Sequence, residues 1–450
     1  MKLSPLKQSI TDTIPPETSR VLVAVSGGVD SVVLLHLLLS FAKSLKFSLQ
    51  VAHLDHQIRP TSATDAAFVA DLCAQWDLPC HIELCDVLAL AEQDKISLEM
   101  AGRNARREFL RRIAGQLDTQ QIVLAHHRDD QVETFMLRLL RGSGQSGLAA
   151  MRVHQDVWWR PLLNCSREQI LDYARQHKLS WVEDKSNRDP AFLRNQFRHQ
   201  LLPQLREINP RFDHHIARLT QQFQFEENYW QEQVEQIFAD LIVSTNDGFR
   251  LSRPLLLEQH PAFRLRLLRE ALCQVRGDLQ RIEAVHLQAV ENLLTGQRSQ
   301  AQLDLPDSWV ARRYETLWFR ASAPESPEPF DLLLDIPGEL ELPDGRVLRV
   351  TLQDEQEGES LNVVEFAFTG LQLPLRARNW RAGDRFEPQG VAGQKKLKHF
   401  FADKRIELEE RLKTPLLVSE GEILWVVGMR RSCHAVAERD RGTILRVELL

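Results

Sequence analysis

The sequence predicts an α/β protein: a doubly wound, mostly parallel sheet, followed by a helical domain and a small C-terminal β-containing domain. Three observations carry that expectation. Up to Arg141, short β-branched runs alternate with longer helix-like stretches, as in parallel sheets covered by helices on both faces. Between 211 and 300, apolar residues recur at helical spacing. Beyond the Pro/Glu-rich stretch Ala323–Phe330, the apolar runs are short and strand-like.

RVLVAVS (Arg20–Ser26) reads as the first strand, and VDSVVLLHLLLSFAKSL after Gly27-Gly28 as a helix buried against the sheet. FSLQVAHLD (Phe47–Asp55) is a second strand and Thr61–Trp76 an amphipathic helix. Cys80–Leu84 is a third strand, Leu98–Leu117 an Arg-rich helix, and Gln121–His127 a fourth strand running into the helix Asp129–Arg141. RGSG (Arg141–Gly144) breaks the pattern; WWRPLL and a helix near Ser166–His177 close it, and EDKSNRDPAFLRNQFRHQLLP leads out. Ile216, Leu219, Phe223, Trp230, Val234, Ile237 and Leu241 then follow one helical face. DLLLDIP, RVLRVTL and GEILWVVGM are the strand-like runs near the C-terminus. The expected domains are 1–210, 211–322 and 331–450.

A chain of 450 residues exceeds one ordinary core at about 150 residues per domain. Its longest apolar stretch, Val29–Leu39, contains Asp30, Ser31 and His36 and is too short to cross a bilayer. The N-terminal stretch lacks the apolar core of an export signal. Six cysteines without a C-x-x-C pair fit free thiols in a reducing compartment, so a cytoplasmic location is expected. The net charge of −6 conceals segregation: residues 322–373 hold 12 Asp+Glu against 2 Arg, whereas 374–450 hold 16 Lys+Arg against 11 Asp+Glu. A basic C-terminal region points to an anionic partner.

The chemistry starts at Ser26-Gly27-Gly28-Val29-Asp30-Ser31. Two glycines between a strand and a helix let backbone N–H groups approach phosphate oxygens, with the helix N-terminus adding positive potential. The loop has no Walker lysine; Asp30 would repel a polyphosphate unless a divalent cation lay between them, so ATP with Mg²⁺ is expected. Within AHHRDDQVETFMLRLLRGSG (Ala125–Gly144), Asp130 and Glu133 share a helix face and can hold Mg²⁺, a substrate ammonium, or both. A zinc site from His126, His127 and Asp130 lacks the usual His spacing and thiolates. Asp55, in HLDHQIR (His53–Arg59), stands where such folds meet a ribose or base. Arg103, Arg107 and Arg111 form one helical stripe, either a solvated face or a phosphate contact. Lys395, Lys396, Lys398, Lys404 and Arg405, interleaved with His399, Phe400 and Phe401, suit an RNA backbone with stacking partners.

SGGVDS is similar to the loop of the N-type ATP pyrophosphatase (PP-loop) family, Rossmann-like enzymes that cleave ATP to AMP and pyrophosphate while adenylating a substrate. The DDQVET and RGSG block, RPLL, EDKSN…FLRNQFR and NWRAGDRFEPQGVAGQKKLKHFFADKRI resemble the tRNA(Ile)-lysidine synthetases within it. The match departs at Ile406–Glu407, where the family pattern has Ile-Pro. The resemblance implies adenylation of the wobble cytidine of the CAU anticodon of tRNA(Ile), then displacement of AMP by free L-lysine. It implies catalytic roles for Asp30, Asp130, Glu133 and Arg103. ATP would be held by Ser26–Ser31 (Ser26, Gly27, Gly28, Val29, Asp30 and Ser31) with Asp55 and His126, and Mg²⁺ by Asp30 and Asp130. The tRNA contacts would come from Arg107, Arg194, Arg198, Arg385, Lys395, Lys396 and Lys398, the C-terminal ones on the acceptor-stem side. No membrane partner is expected, and a homodimer is left open. A tRNA sulfurtransferase of the same ATP family usually needs a reactive cysteine pair, which is missing here; ammonia-using synthetases would not need the basic C-terminus.

Overall fold

A computed structural model of the chain describes residues 4–16, 18–58, 62–119, 121–183, 193–391, 393–437 and 442–450. Arg59, Thr61 and the EDKSN motif beyond Glu183 lie outside the described residues. The chain divides into two compact units, Met1–Gln231 and Glu232–Leu450.

The first unit runs α1 (Pro5–Thr13), β1 (Arg20–Ala24), α2 (Val29–Leu45), β2 (Ser48–Asp55), α3 (Ser62–Gln75) and β3 (Cys80–Leu84). It continues with α4 (Val87–Asp94), α5 (Leu98–Gln116), β4 (Ile122–Val123), α6 (Arg128–Leu140), α7 (Gln145–Leu148), β5 (His154–Gln155), β6 (Trp158–Trp159) and α8 (Arg167–Gln176). The strands form one sheet in the order β3-β2-β1-β4-β6-β5. All neighbours are parallel except the edge strand β5. Alternation along β1 explains the two layers: Val21 and Val23 join a core with Leu34, Leu35 and Leu38 of α2, whereas Leu22 joins Phe109, Leu110 and Ile113 of α5.

The strand order settles where a ligand can sit. From β1 the chain steps to β2 and β3 on one side, while β4 pairs with β1 on the other. The carboxyl ends of β1 and β4 therefore flank a topological switch point, and the loops leaving them open the same crevice. The fourth strand is shorter than the expected Gln121–His127, because His126 and His127 leave the ladder to start α6. Helix α1 lacks a strong apolar pattern; Ser4 caps it, and Leu6 and Ile10 anchor it to the core. After α8 come α9 (Leu193–Gln196), a π-helical turn at Phe197–Leu201, α10 (Leu202–Ile208) and the long α11 (Phe212–Leu241).

The second unit corrects the expectation of an all-helical middle segment. Ile242–Thr245, Gly248–Ser252, Thr316–Arg320, Ser308–Arg313 and Gln300–Leu305 form a five-stranded antiparallel sheet. The helices Pro261–Arg276 and Ala284–Thr295 belong to the same segment and bury Leu267, Leu268, Leu272 and Leu294. These strands were hidden because they are short and mix apolar with charged residues; even Arg312 and Arg313 are buried. Farther on, a five-stranded and a four-stranded sheet share a core that includes Leu348, Phe366, Leu417, Trp425 and Leu445. Among the described residues no helix is long and apolar enough to cross a membrane.

Leu35, on the helix that follows the phosphate loop, is fully buried. Leu35→Ala is expected to destabilise the first unit by about 2–5 kcal/mol, seen as a lower urea midpoint; an unchanged midpoint would contradict this packing.

Candidate active site

The phosphate loop leaves β1 and enters α2. Gly27 sits at φ +84°, a conformation that favours glycine, and its carbonyl accepts from the Val182 amide at 3.0 Å. A Cβ there would meet Phe68 and Val69 at an ordinary 3.5 Å, so the constraint lies in the backbone rather than in crowding. Ser31 closes the loop: its hydroxyl donates to the Gly28 carbonyl at 2.9 Å and accepts from the Ser26 amide at 3.2 Å. The Ser26 and Ser31 hydroxyl oxygens lie 3.4 Å apart. Gly28 is the N-cap of α2, which places Asp30 in that helix's first turn.

Across the switch point stands His127, buried at the N-cap of α6. Its Nε2 lies 3.5 Å from Asp130 Oδ2 and 3.8 Å from Asp30 Oδ1, and its Nδ1 is 3.5 Å from Asp129 Oδ2. Burial opposes charge on this ring, but the carboxylates of Asp130, Asp129 and Asp30 outweigh it and raise its pKa above the ordinary histidine value. Asp30 Oδ1 is buried and makes no hydrogen bond among the described residues. Burial, with Asp130 nearby, pushes the Asp30 carboxyl up despite His127.

Asp130 reaches back to accept from the His127 amide at 3.0 Å, tying the start of α6. Its other oxygen receives Arg194 Nη2 at 3.0 Å and Arg198 Nη2 at 3.2 Å. Glu133, 1% exposed, takes Arg194 Nε at 2.8 Å and Arg198 Nε at 2.5 Å. The helical spacings 130/133 and 194/198 thus mesh as two acids against two guanidinium forks. Although burial disfavours charge, His127 and Arg194 hold the Asp130 carboxyl below the ordinary range. Asp129 is held low in the same way, by His127, the Arg167 amide and Arg206, which lies 2.8 Å away.

The other expected residues fall into three groups. Asp55 ends β2 and accepts from the Gln57 amide at 2.9 Å. His126 is kept neutral, its pKa pushed by burial down to about 4. Arg103 is exposed on α5; burial and this neighbouring charge both lower the pKa of Arg106, Arg107, Arg138 and Arg160, the last to about 10. Arg107 and Arg111 also cover the Trp158 ring, at 5.5 and 5.7 Å. In the second unit, Arg385 pairs across a two-stranded hairpin with Lys396, and Lys395 and Lys398 adjoin it. Phe400 and Phe401 are buried in the core beneath this hairpin, so the expected aromatic stacking surface reduces to exposed His399. Residues that sequence reasoning missed are His127 as the hub, and Asp129 with Arg206. Their signal was the unbroken His-Arg-Asp-Asp run at a helix start.

A family model described as the PP-loop domain matches residues 3–205. Models described as the TilS substrate binding domain and the TilS substrate C-terminal domain match 251–318 and 375–449. A tRNA(Ile)-lysidine synthase of Geobacter sulfurreducens is 36% identical over 92% of this chain and 89% of its own length. One from Solibacter usitatus is 33% identical over 95% of this chain and 98% of its own. A bifunctional protein TilS/HprT of Listeria monocytogenes is 32% identical over 92% of the chain, which spans 65% of that longer protein.

The raised pKa of His127 has a defined consequence for stability. Its charged form is favoured by folding, so its contribution is fully present below the ordinary value of 6.5 and is lost as pH rises through the higher folded value. The stability difference between the native chain and His127→Ala is therefore expected to be largest below pH 6.5 and to shrink on the alkaline side. Urea titrations at several pH values check this, and a difference that grew with pH would contradict it.

Proposed function

The chain belongs to the tRNA(Ile)-lysidine synthase family, and from that premise we propose how its residues form lysidine on tRNA(Ile). The observation carrying the reading is that Asp30, from the loop after β1, and Asp130, from the helix after β4, converge on one side of His127. The PP-loop domain uses ATP, whose phosphates Ser26–Ser31 are suited to cradle through backbone N–H groups and the α2 N-terminus.

Asp30 Oδ1, buried without a hydrogen bond among the described residues, and Asp130 nearby are hard oxygen donors that fit Mg²⁺. Bound there, the ion would supply charge neutralisation for the departing pyrophosphate. The wobble cytidine of the CAU anticodon attacks the α-phosphate through its carbonyl oxygen, pyrophosphate leaves, and a poor leaving group becomes AMP. The ε-amine of free lysine then bonds to the ring carbon, and AMP departs. That amine attacks only when neutral, and its ordinary pKa of about 10.4 calls for loss of a proton before attack; we assign binding of the lysine ammonium to the Asp130–Glu133 pair. Arg194 and Arg198 fix that pair, and we assign them tRNA phosphate as a further partner. The cationic group around Arg103, Arg107, Arg138 and Arg160, short of compensating charge, suits anticodon-stem phosphates. Arg385, Lys395, Lys396 and Lys398 suit phosphates elsewhere on the tRNA. Six free cysteines support a reducing cytoplasm as the compartment.

The direct test supplies ATP, Mg²⁺, labelled lysine and bulk tRNA. Label entering one isoleucine tRNA is expected; label appearing elsewhere, or independently of ATP, would overturn the reading. Asp30→Asn is expected to abolish pyrophosphate release while keeping tRNA affinity within about 1 kcal/mol, because Asp30 meets the metal rather than RNA. Normal release would refute its role. Neutralising Lys395, Lys396 and Lys398 together should weaken tRNA binding and flatten its log–log salt slope by about 0.7–0.9 for each phosphate no longer neutralised. An unchanged slope would remove this hairpin from the interface.

A further inference from the structure

The second unit carries a group of metal-ligand side chains outside the chemistry above. We propose that Cys433, His434 and Glu387, with Glu422 beside His434, form a zinc site that clasps the basic hairpin to the neighbouring sheet. The backbone builds this cluster from three separate segments. Pro388 and Ser432 form an antiparallel bridge, and the Cys433 amide donates to the Glu387 carbonyl at 2.9 Å, so Glu387 and Cys433 stand opposite each other. On the other side, Trp425 pairs with Arg431 and the Ser432 amide donates to Leu424. Continuing that register brings Glu422 opposite His434. Residues directly opposite in an antiparallel pair place their Cβ atoms roughly 5 Å apart on one face, and the chain bends after Ser432, so the adjacent Cys433 and His434 need not diverge as in a strand.

The side chains do converge. One ligand atom from each of Glu387, Cys433 and His434 lies within 4.8 Å of the other two. Cys433 Sγ is 3.3 Å from Glu387 Oε2, and His434 Nε2 is 3.7 Å from Glu422 Oε2. That last distance is too long for a hydrogen bond, and His434 Nε2, a buried atom, has no hydrogen-bond partner among the described residues. A thiol, an imidazole and a carboxylate are a donor set of zinc, whose bonds of about 2.0–2.3 Å hold tetrahedral donors roughly 3.3–3.8 Å apart and leave a further position open to water. Hard ions such as Mg²⁺ and Ca²⁺ have little use for sulfur. The thiol proton leaves to solvent as the sulfur–metal bond forms.

The position gives the site a purpose. Glu387 directly follows the strand Arg385–Phe386, whose partner strand is Lys395–Lys396. Holding Glu387 to the 422–434 region fixes the cations of that hairpin in one register, which matters where like charges face each other across two short strands. Metal binding itself does not depend on the tRNA reading, and its test is separate from activity.

The full-length chain, loaded with zinc and desalted, is expected to retain one zinc per chain by elemental analysis. Cys433→Ser and His434→Ala should lose it. Cobalt loading should give a thiolate-to-cobalt charge-transfer band in the native chain that is missing from Cys433→Ser. Cys433 is exposed, so the serine variant should fold, and its unchanged urea midpoint without metal confirms that. Retention of no zinc by the native chain, full retention by Cys433→Ser, or a cobalt spectrum without the sulfur band would each overturn the proposal.

Discussion

Two buried acids under two guanidinium groups are the constraint around which the catalytic unit is arranged. Without Arg194 and Arg198 the buried carboxylates of Glu133 and Asp130 would lack their guanidinium partners, and an uncompensated buried charge costs several kcal/mol. The pairing joins α6 to the α9–π-turn segment. The turn at Phe197–Leu201 has π geometry, a feature often found at functional positions in helices. Phe197, buried between the two arginines in sequence, anchors it.

The second constraint is topological. Neither the loop after β1 nor the start of α6 is a site by itself. The parallel pairing of β1 with β4 sets their carboxyl ends side by side, and the Nε2 edge of His127 then faces both Asp30 and Asp130. The same electrostatics explain why His126, one residue earlier, remains neutral: it is buried with arginines near it and Asp130 as the main opposing influence.

What was legible in the sequence was what depends on neighbours along the chain. The phosphate loop, the Asp130/Glu133 spacing and the strand–helix alternation of the first unit are local patterns. The partners of those acids were not legible, because Arg194 and Arg198 lie about sixty residues farther along and only the fold brings them in. Phe400 and Phe401 looked like stacking platforms beside lysines; on the short helix Leu397–Asp403 they turn inward while Lys398 and His399 stay outside. The sheet between Ile242 and Arg320 was hidden for a related reason: its strands are short and carry charged residues among the apolar ones, and buried arginines such as Arg313 rely on the distant Glu409.

The most direct test of the central claim is a double-mutant cycle on Glu133 and Arg198, read by urea unfolding of Glu133→Gln, Arg198→Gln and the pair. The double variant is expected to lose less stability than the two single losses combined, with a coupling of roughly 0.5–3 kcal/mol. Strictly additive losses would contradict the idea that this buried ion pair organises the site.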